Sequence, residues 1–347
     1  MQTRDGAAGW GQTAPYNAGI TTEVLHRQVA PHVLGADPLD PERIAARVLE
    51  AEHKFPGSYL CRALAGVDTA LWDLRGRLEG RSVCELIGGT LRPTPAYASS
   101  MRRDIGPTDE ARRLAALRDR DGYAAFKIRV GRECGHDQDE WPGRTEAVVP
   151  AVRNAIGSDA ALLVDANSCY TPRRAIEVGR FLEHHGVVHF EEPCPYWEVG
   201  WTAEVTRALD LDVAGGEQDC LLSQWRHIVE KRAVDVVQPD VCYVGGLTRA
   251  RAVARLGADA GLALVPHSAN LSLVTVFAVH LLCALPNAGP YVEFSIEGAD
   301  YYPWQEGLFT PPLAVAGGLV TAPPGPGWGI EISPGWLDRA AHRITAA

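Results

Sequence analysis

From about residue 94 onward, short apolar runs rich in β-branched residues alternate with amphipathic segments. The runs are TPAYASS (94–100), AAFKIRV (124–130), ALLVDAN (161–167), VVHFEEP (187–193), DVAGGE (212–217), VDVVQPD (234–240), LALVPH (262–267) and YVEFSI (291–296). Segments between them, such as TPRRAIEVGRFLEHHG and GLTRARAVARLGADAG, carry apolar residues at helical spacing and end in Gly. Nearly continuous apolar strands are those buried on both faces. Eight of them alternating with helices predict an α/β fold of the (β/α)8-barrel type rather than an open sheet.

The first 93 residues break this rhythm. DPERIAARVLEAEHKF reads as a helix, and residues 61–79 predict another, with Leu64, Val67, Leu71, Leu74 and Leu78 on one stripe. The pattern therefore divides the chain into a separate helical cap at 1–93, a barrel at 94–299 and a C-terminal segment at 300–347 that returns to the cap. Gly and Pro concentrate at 311–335, which reads as ordered loop.

Composition narrows the partners. Of 347 residues, 46% are hydrophobic and 22% charged, enough apolar mass for a core and too little charge for a disordered chain. A net charge of -10 repels nucleic acid and anionic membrane surfaces, so neither is expected as a partner. The longest apolar stretch, Leu271 to Leu285, is interrupted by His280, and the opening MQTRDGAAGW lacks the apolar region of a signal peptide. A cytoplasmic location and a homo-oligomer are expected. The eight cysteines include no CxxC pair and read as reduced thiols.

In a barrel of this kind, chemistry sits at the C-terminal ends of the strands. Successive runs close on Lys127 and Arg129, Asp165, Glu191, Glu217, Asp240 and His267, and the eighth carries Glu293. The intervals from Asp165 to Glu293 are 26, 26, 23, 27 and 26 residues, one βα unit each, so every position advances one strand around the same rim. Three carboxylates at one mouth are costly unless a cation neutralises them, and an all-oxygen set suits Mg²⁺. Asp165, Glu191 and Glu217 are therefore the expected metal ligands. Asp240 and His267 close neighbouring strands, where a carboxylate can set the imidazole tautomer and make a general base. The remaining histidines, mostly in predicted helices or loops, receive no role. Cys169, Cys194, Cys220 and Cys242 follow strands three to six and raise a thiol alternative, which the harder carboxylates preceding them disfavour.

The ordered motifs FKIRVG, LLVDAN, FEEP, GGE, VVQPDVCYVGG, PHS and YVEF resemble the enolase superfamily, specifically its mandelate racemase group. CRALAGVDTALWDLRGRLEGRSVCELIGG is similar to that family's capping helix and PPGPGWGIEI to its tail, so the likeness covers nearly the whole chain and implies an α+β capping domain formed by the N-terminal segment and the C-terminal tail. The resemblance implies Mg²⁺ on Asp165, Glu191 and Glu217, with Glu192 as the alternative in FEEP, and a His267–Asp240 dyad on one substrate face. It further implies Lys127 as the first Lys of a Lys-x-Lys pair on the opposite face, Glu293 as an acid bonding the substrate carboxylate, and Asn167 as a substrate contact. Two departures stand out. Arg129 occupies the place of the second Lys, where a guanidinium has almost no neutral form to act as base. The segment TRDGAAGWGQT matches the second or third cap strand, so the first strand and the loop covering the site are expected to be missing.

What the resemblance implies is removal of the proton α to a carboxylate, with Mg²⁺ and Glu293 stabilising the enediolate. Racemisation needs acid and base on both faces, whereas β-elimination of water can be run by one His. Arg129 thus favours a dehydratase acting on a small-molecule sugar acid. A racemase or epimerase of a 2-hydroxy acid is the alternative, with Lys127 as second base, and a catalytically silent metal-binding scaffold is the alternative of another class.

Overall fold

The computed structural model describes residues 1–346. Each apolar run becomes a strand: β1 (Thr94–Ser99), β2 (Ala125–Arg129), β3 (Ala161–Asp165), β4 (Val187–Glu191), β5 (Asp212–Gly215), β6 (Val236–Val237), β7 (Ala263–Leu264) and β8 (Val292–Ser295). They pair in parallel in chain order from β1 to β7, and β8 returns to pair with β1 through Tyr97↔Glu293 and Ser99↔Ser295. On the remaining side an isolated bridge joins Leu264 to Ala288, just before β8.

Alternation along the strands sorts side chains to opposite faces. Phe126, Ile128, Leu162, Val164, Phe190 and Val213 point outward into the layer shared with the helices. Tyr97, Ala125, Leu163, Ala214, Val236 and Val265 point inward and form an apolar plug. One step further along, the inward positions become Ser99, Lys127, Asp165 and Glu191, all buried. The polar site thus rests on an apolar floor.

The cap is built around the helix Ser58–Glu79, whose Leu64, Val67, Leu71 and Leu74 are buried as the stripe predicts. Leu78 is the exception and is exposed, because the stripe outruns the surface it packs on. The helix Pro41–Ala51 packs against it through Ile44, Ala45 and Val48. The C-terminal segment divides its contacts. Trp328 donates from its backbone to Asp73 at 2.8 Å and from its indole to Thr69 O at 3.0 Å, whereas Leu319 and Val320 pair antiparallel with β1 at the opposite end of the barrel. The tail therefore touches barrel as well as cap. Among the described residues no helix is long and apolar enough to cross a membrane.

Candidate active site

Barrel closure gathers ligand atoms of Asp165, Glu191 and Glu217 within 4.8 Å of one another, all buried. Two cationic side chains and an imidazole face them. Lys127 Nζ lies 2.8 Å from Glu191 Oε2 and 2.8 Å from Glu293 Oε1. The Arg129 guanidinium pairs with Asp165 and donates to Asn167 Oδ1 at 2.9 Å. His267 Nε2 stands 3.2 Å from Glu217 Oε2. The triad fits a hard divalent cation: the donors are all oxygen, they converge, and Glu217 Oε2 lacks a well-aligned hydrogen bond although it is buried.

On one flank, His267 Nδ1 lies 2.7 Å from Asp240 Oδ2, while Asp240 Oδ1 accepts from the backbone N–H groups of Cys242 and Tyr243 at 2.6 and 3.1 Å. With both oxygens engaged, Asp240 holds the ring so that Nε2 faces the triad. Burial alone would lower the His267 pKa, but Glu217, the Asp240 hydrogen bond and Glu293 together raise it to about 10.

On the other flank, Lys127 and Glu293 are fully buried and neither lines the open cavity. Glu293 Oε1 accepts from Ser99 Oγ at 2.7 Å and Oε2 from Ser268 N at 2.7 Å. Burial pushes its carboxyl up, yet Lys127 and His267 bring it down to about 2. For Lys127 burial acts downward and the carboxylates of Glu191 and Glu293 win, raising the pKa well above the ordinary lysine range. The structure thus places Glu293 beneath Lys127, both charged and mutually satisfied. Glu191 joins the triad; Glu192 does not. The Glu192 carboxyl is pushed well up by burial and by the charges of Glu217 and Glu191, and its Oε1 has no partner.

Asn167 bonds Asp165 through its backbone N–H at 2.7 Å and accepts from both Arg129 and Arg103, so it ties the rim together while lining the cavity. That cavity, of ≈ 540 Å³, is also lined by Tyr16, Asn17, Tyr59 and Arg62 from the cap and by Tyr243, Tyr301 and Tyr302. The N-terminal segment thus reaches the site through Tyr16 and Asn17.

Several contributors escaped the sequence reading. His189, set aside with the loop and helix histidines, lies on β4 facing inward, its Nε2 3.6 Å from Glu191 Oε2. Its spacing of two from Glu191 was the available signal. Gln238 Nε2 donates to Glu191 Oε2 at 3.1 Å, again two residues before a rim acid, Asp240. Arg62 and Arg103 carried no local signal. The four rim cysteines play no part in the triad: Cys169, Cys194 and Cys242 are buried with pKa values raised by burial.

Comparison with known proteins agrees with this geometry. The model for the mandelate racemase/muconate lactonizing enzyme N-terminal domain matches residues 1–88, and the enolase C-terminal domain-like model matches 109–336. Arabinonate dehydratase of Saccharolobus solfataricus is 28% identical over 346 residues, covering 97% of this chain and 88% of the relative. D-Galactarolactone cycloisomerase of Agrobacterium fabrum is 32% identical over 349 residues, covering 96% and 88%. A crystal structure described as a candidate racemase from Roseobacter denitrificans is 59% identical with a TM-score of 0.96, covering 97% of this chain and 93% of that one. A mandelate racemase/muconate lactonizing protein from Paracoccus denitrificans PD1222, crystallised with magnesium, is 31% identical with a TM-score of 0.91, covering 100% and 94%.

Proposed function

The chain belongs to the mandelate racemase/muconate lactonizing enzyme group of the enolase superfamily, and on that premise we propose that it is a Mg²⁺-dependent hydro-lyase. It takes the proton α to the carboxylate of a sugar acid and expels water from the β carbon. The observation that carries this reading is the inequality of the two flanks. His267 turns Nε2 to the triad with Asp240 setting its tautomer, and a cation neutralising Glu217, the foremost of the charges that raise its pKa, would leave that nitrogen unprotonated to act as base. Lys127 and Arg129 are buried cations paired to carboxylates, with nothing to accept a proton.

In this reading Asp165, Glu191 and Glu217 hold the ion. Bound Mg²⁺ would neutralise the triad and polarise the substrate carboxylate, making the α-proton more acidic. His267 Nε2 removes that proton, Asp240 stabilises the resulting imidazolium, and the same His267 returns the proton to the departing hydroxyl. Arg129, with Asn167, sets fixed positive charge where the enediolate forms. Lys127 and Glu293 work from below as a satisfied ion pair that keeps Glu191 in place. The D-galactarolactone relative favours cycloisomerisation as a second reading, since ring opening also begins with one α-proton removal. We further propose a cytoplasmic homo-oligomer.

Turnover of a sugar-acid library with and without Mg²⁺, followed by proton NMR in D₂O, tests the proposal. Wild type is expected to dehydrate an acid only with Mg²⁺, and His267→Asn to lose both dehydration and α-hydrogen exchange. Persistent exchange in His267→Asn would make Lys127 or Arg129 the base and move racemisation ahead of elimination.

A further inference from the structure

Three guanidinium groups line the cavity, those of Arg62, Arg103 and Arg129. Two are accounted for. Arg129 pairs with Asp165. Arg103 donates to Gly131 O at 3.0 Å and Asn167 Oδ1 at 2.8 Å; burial and the neighbouring Arg129 lower its pKa to about 10, with Glu133 acting in the opposite direction.

Arg62 stands apart. Its guanidinium lies 3.9 Å over the Tyr243 ring, and its one hydrogen bond is a long contact of 3.4 Å from Nη2 to Gln218 Oε1. No carboxylate of the described residues is within ion-pair distance of it, in a chain with 43 acidic side chains. A half-buried guanidinium that turns a planar fork toward a cavity, without a counter-ion, is matched by a planar anion. Its position limits which anion. Arg62 rises from the cap helix Ser58–Glu79, and the Tyr243 ring beneath it is 5.8 Å from the His267 ring. One aromatic ring therefore separates Arg62 from the base. A group bound there belongs to the substrate carbons beyond the reacting end. Tyr16, Asn17 and Tyr302, which line the same cavity, offer polar groups suited to hydroxyls.

We propose that the substrate is a dicarboxylic sugar acid, its reacting carboxylate at the triad and its second carboxylate bound by Arg62. This rests on the sugar-acid reading above and narrows it from acids with a neutral distal end to aldarates. Stacking on Tyr243 holds the fork in orientation, so binding the second carboxylate costs little further side-chain entropy.

The test compares aldarate and aldonate pairs of matched stereochemistry and length, galactarate with galactonate and glucarate with gluconate, on the Mg²⁺-loaded full chain. kcat/KM is measured for wild type, Arg62→Gln, Arg62→Lys and Arg103→Gln, and calorimetric Kd values are taken for the same acids. Wild type is expected to prefer the aldarate by at least about 10-fold, and Arg62→Gln to lose about 100-fold on the aldarate while changing less than about 3-fold on the aldonate. Arg62→Lys should recover part of that loss by restoring charge without the fork. Preference for the aldonate, equal loss on both acids, or selective loss in Arg103→Gln instead of Arg62→Gln would overturn the assignment. If wild type turns over neither acid, the dehydration reading fails while Kd still decides Arg62: an Arg62-dependent preference for aldarate binding supports it, and equal binding refutes it.

Discussion

Asp240→Asn separates the work of the dyad from the work of the metal site. Asn is as good a helix N-cap as Asp, so its amide oxygen can keep the bonds from Cys242 and Tyr243 that Asp240 Oδ1 now accepts. The amide NH₂ then faces His267 Nδ1, where Asp240 Oδ2 now sits at 2.7 Å. A donor in that place turns Nδ1 into the acceptor and moves the ring proton to Nε2, the nitrogen that must receive the substrate proton. The Asp240 hydrogen bond and charge are also among the groups that raise the His267 pKa, so the altered ring is a weaker base as well. A positioned general base is worth about 10²–10⁴ in rate, or about 3–5 kcal/mol of barrier, and most of it should vanish from kcat. Folding should lose about 1.5–3 kcal/mol for the charged hydrogen bond. Mg²⁺ affinity should move by less than about 3-fold, because Asp240 is outside the triad. Steady-state kinetics on the preferred acid, α-hydrogen exchange in D₂O and Mg²⁺ titration calorimetry supply the three readings. A kcat within about 3-fold of wild type, or a parallel loss of Mg²⁺ binding, would refute the assignment.

Saturating Mg²⁺ is expected to raise Tm, by the equivalent of about 2.7 kcal/mol at a hundredfold excess over Kd, and Asp165→Asn to cancel that rise; an equal shift in the variant would place the ion elsewhere. Lys127→Met leaves Glu191 and Glu293 buried without their shared cation and should cost about 3–5 kcal/mol in denaturant unfolding, partly recovered by Mg²⁺; an unchanged midpoint would show that the pair carries no such weight. Asp68, buried where the cap helix meets the barrel, has its carboxyl raised by burial to about 7. A raised folded pKa means stability present below the unfolded value near 3.8 and lost as pH climbs through about 7. Asp68→Asn removes the buried charge, so its stability relative to wild type should increase between pH 5 and pH 8, by about 2.5 kcal/mol, and a flat or reversed difference in Tm would contradict the shift.

Local alternation determined much of this protein before any tertiary contact was known. The spacing of two that turns Phe126 and Ile128 outward turns Lys127 and Arg129 inward, and the same arithmetic carries Asp165 and Glu191 to the barrel interior. Repetition of one βα unit set the order of polar residues around the rim, because each unit advances the chain by one strand. Alternation says which way a side chain points and nothing of what it meets. Whether Lys127 opens to substrate or is locked between Glu191 and Glu293 was decided when β8 closed against β1 and brought Glu293 alongside. His189 and Gln238 obeyed the alternation yet went unread, since a polar residue inside a strand gains meaning only from the carboxylate opposite it. The cap contributed most that was illegible. Gly246 lets the barrel approach so closely that a Cβ would lie 2.3 Å from Asp68 Oδ2, and Arg62 reaches Gln218 across 156 residues of sequence. No periodic pattern encodes a contact between two separately patterned units. Their surfaces match only after each has folded, and that match placed a guanidinium over the mouth of the barrel.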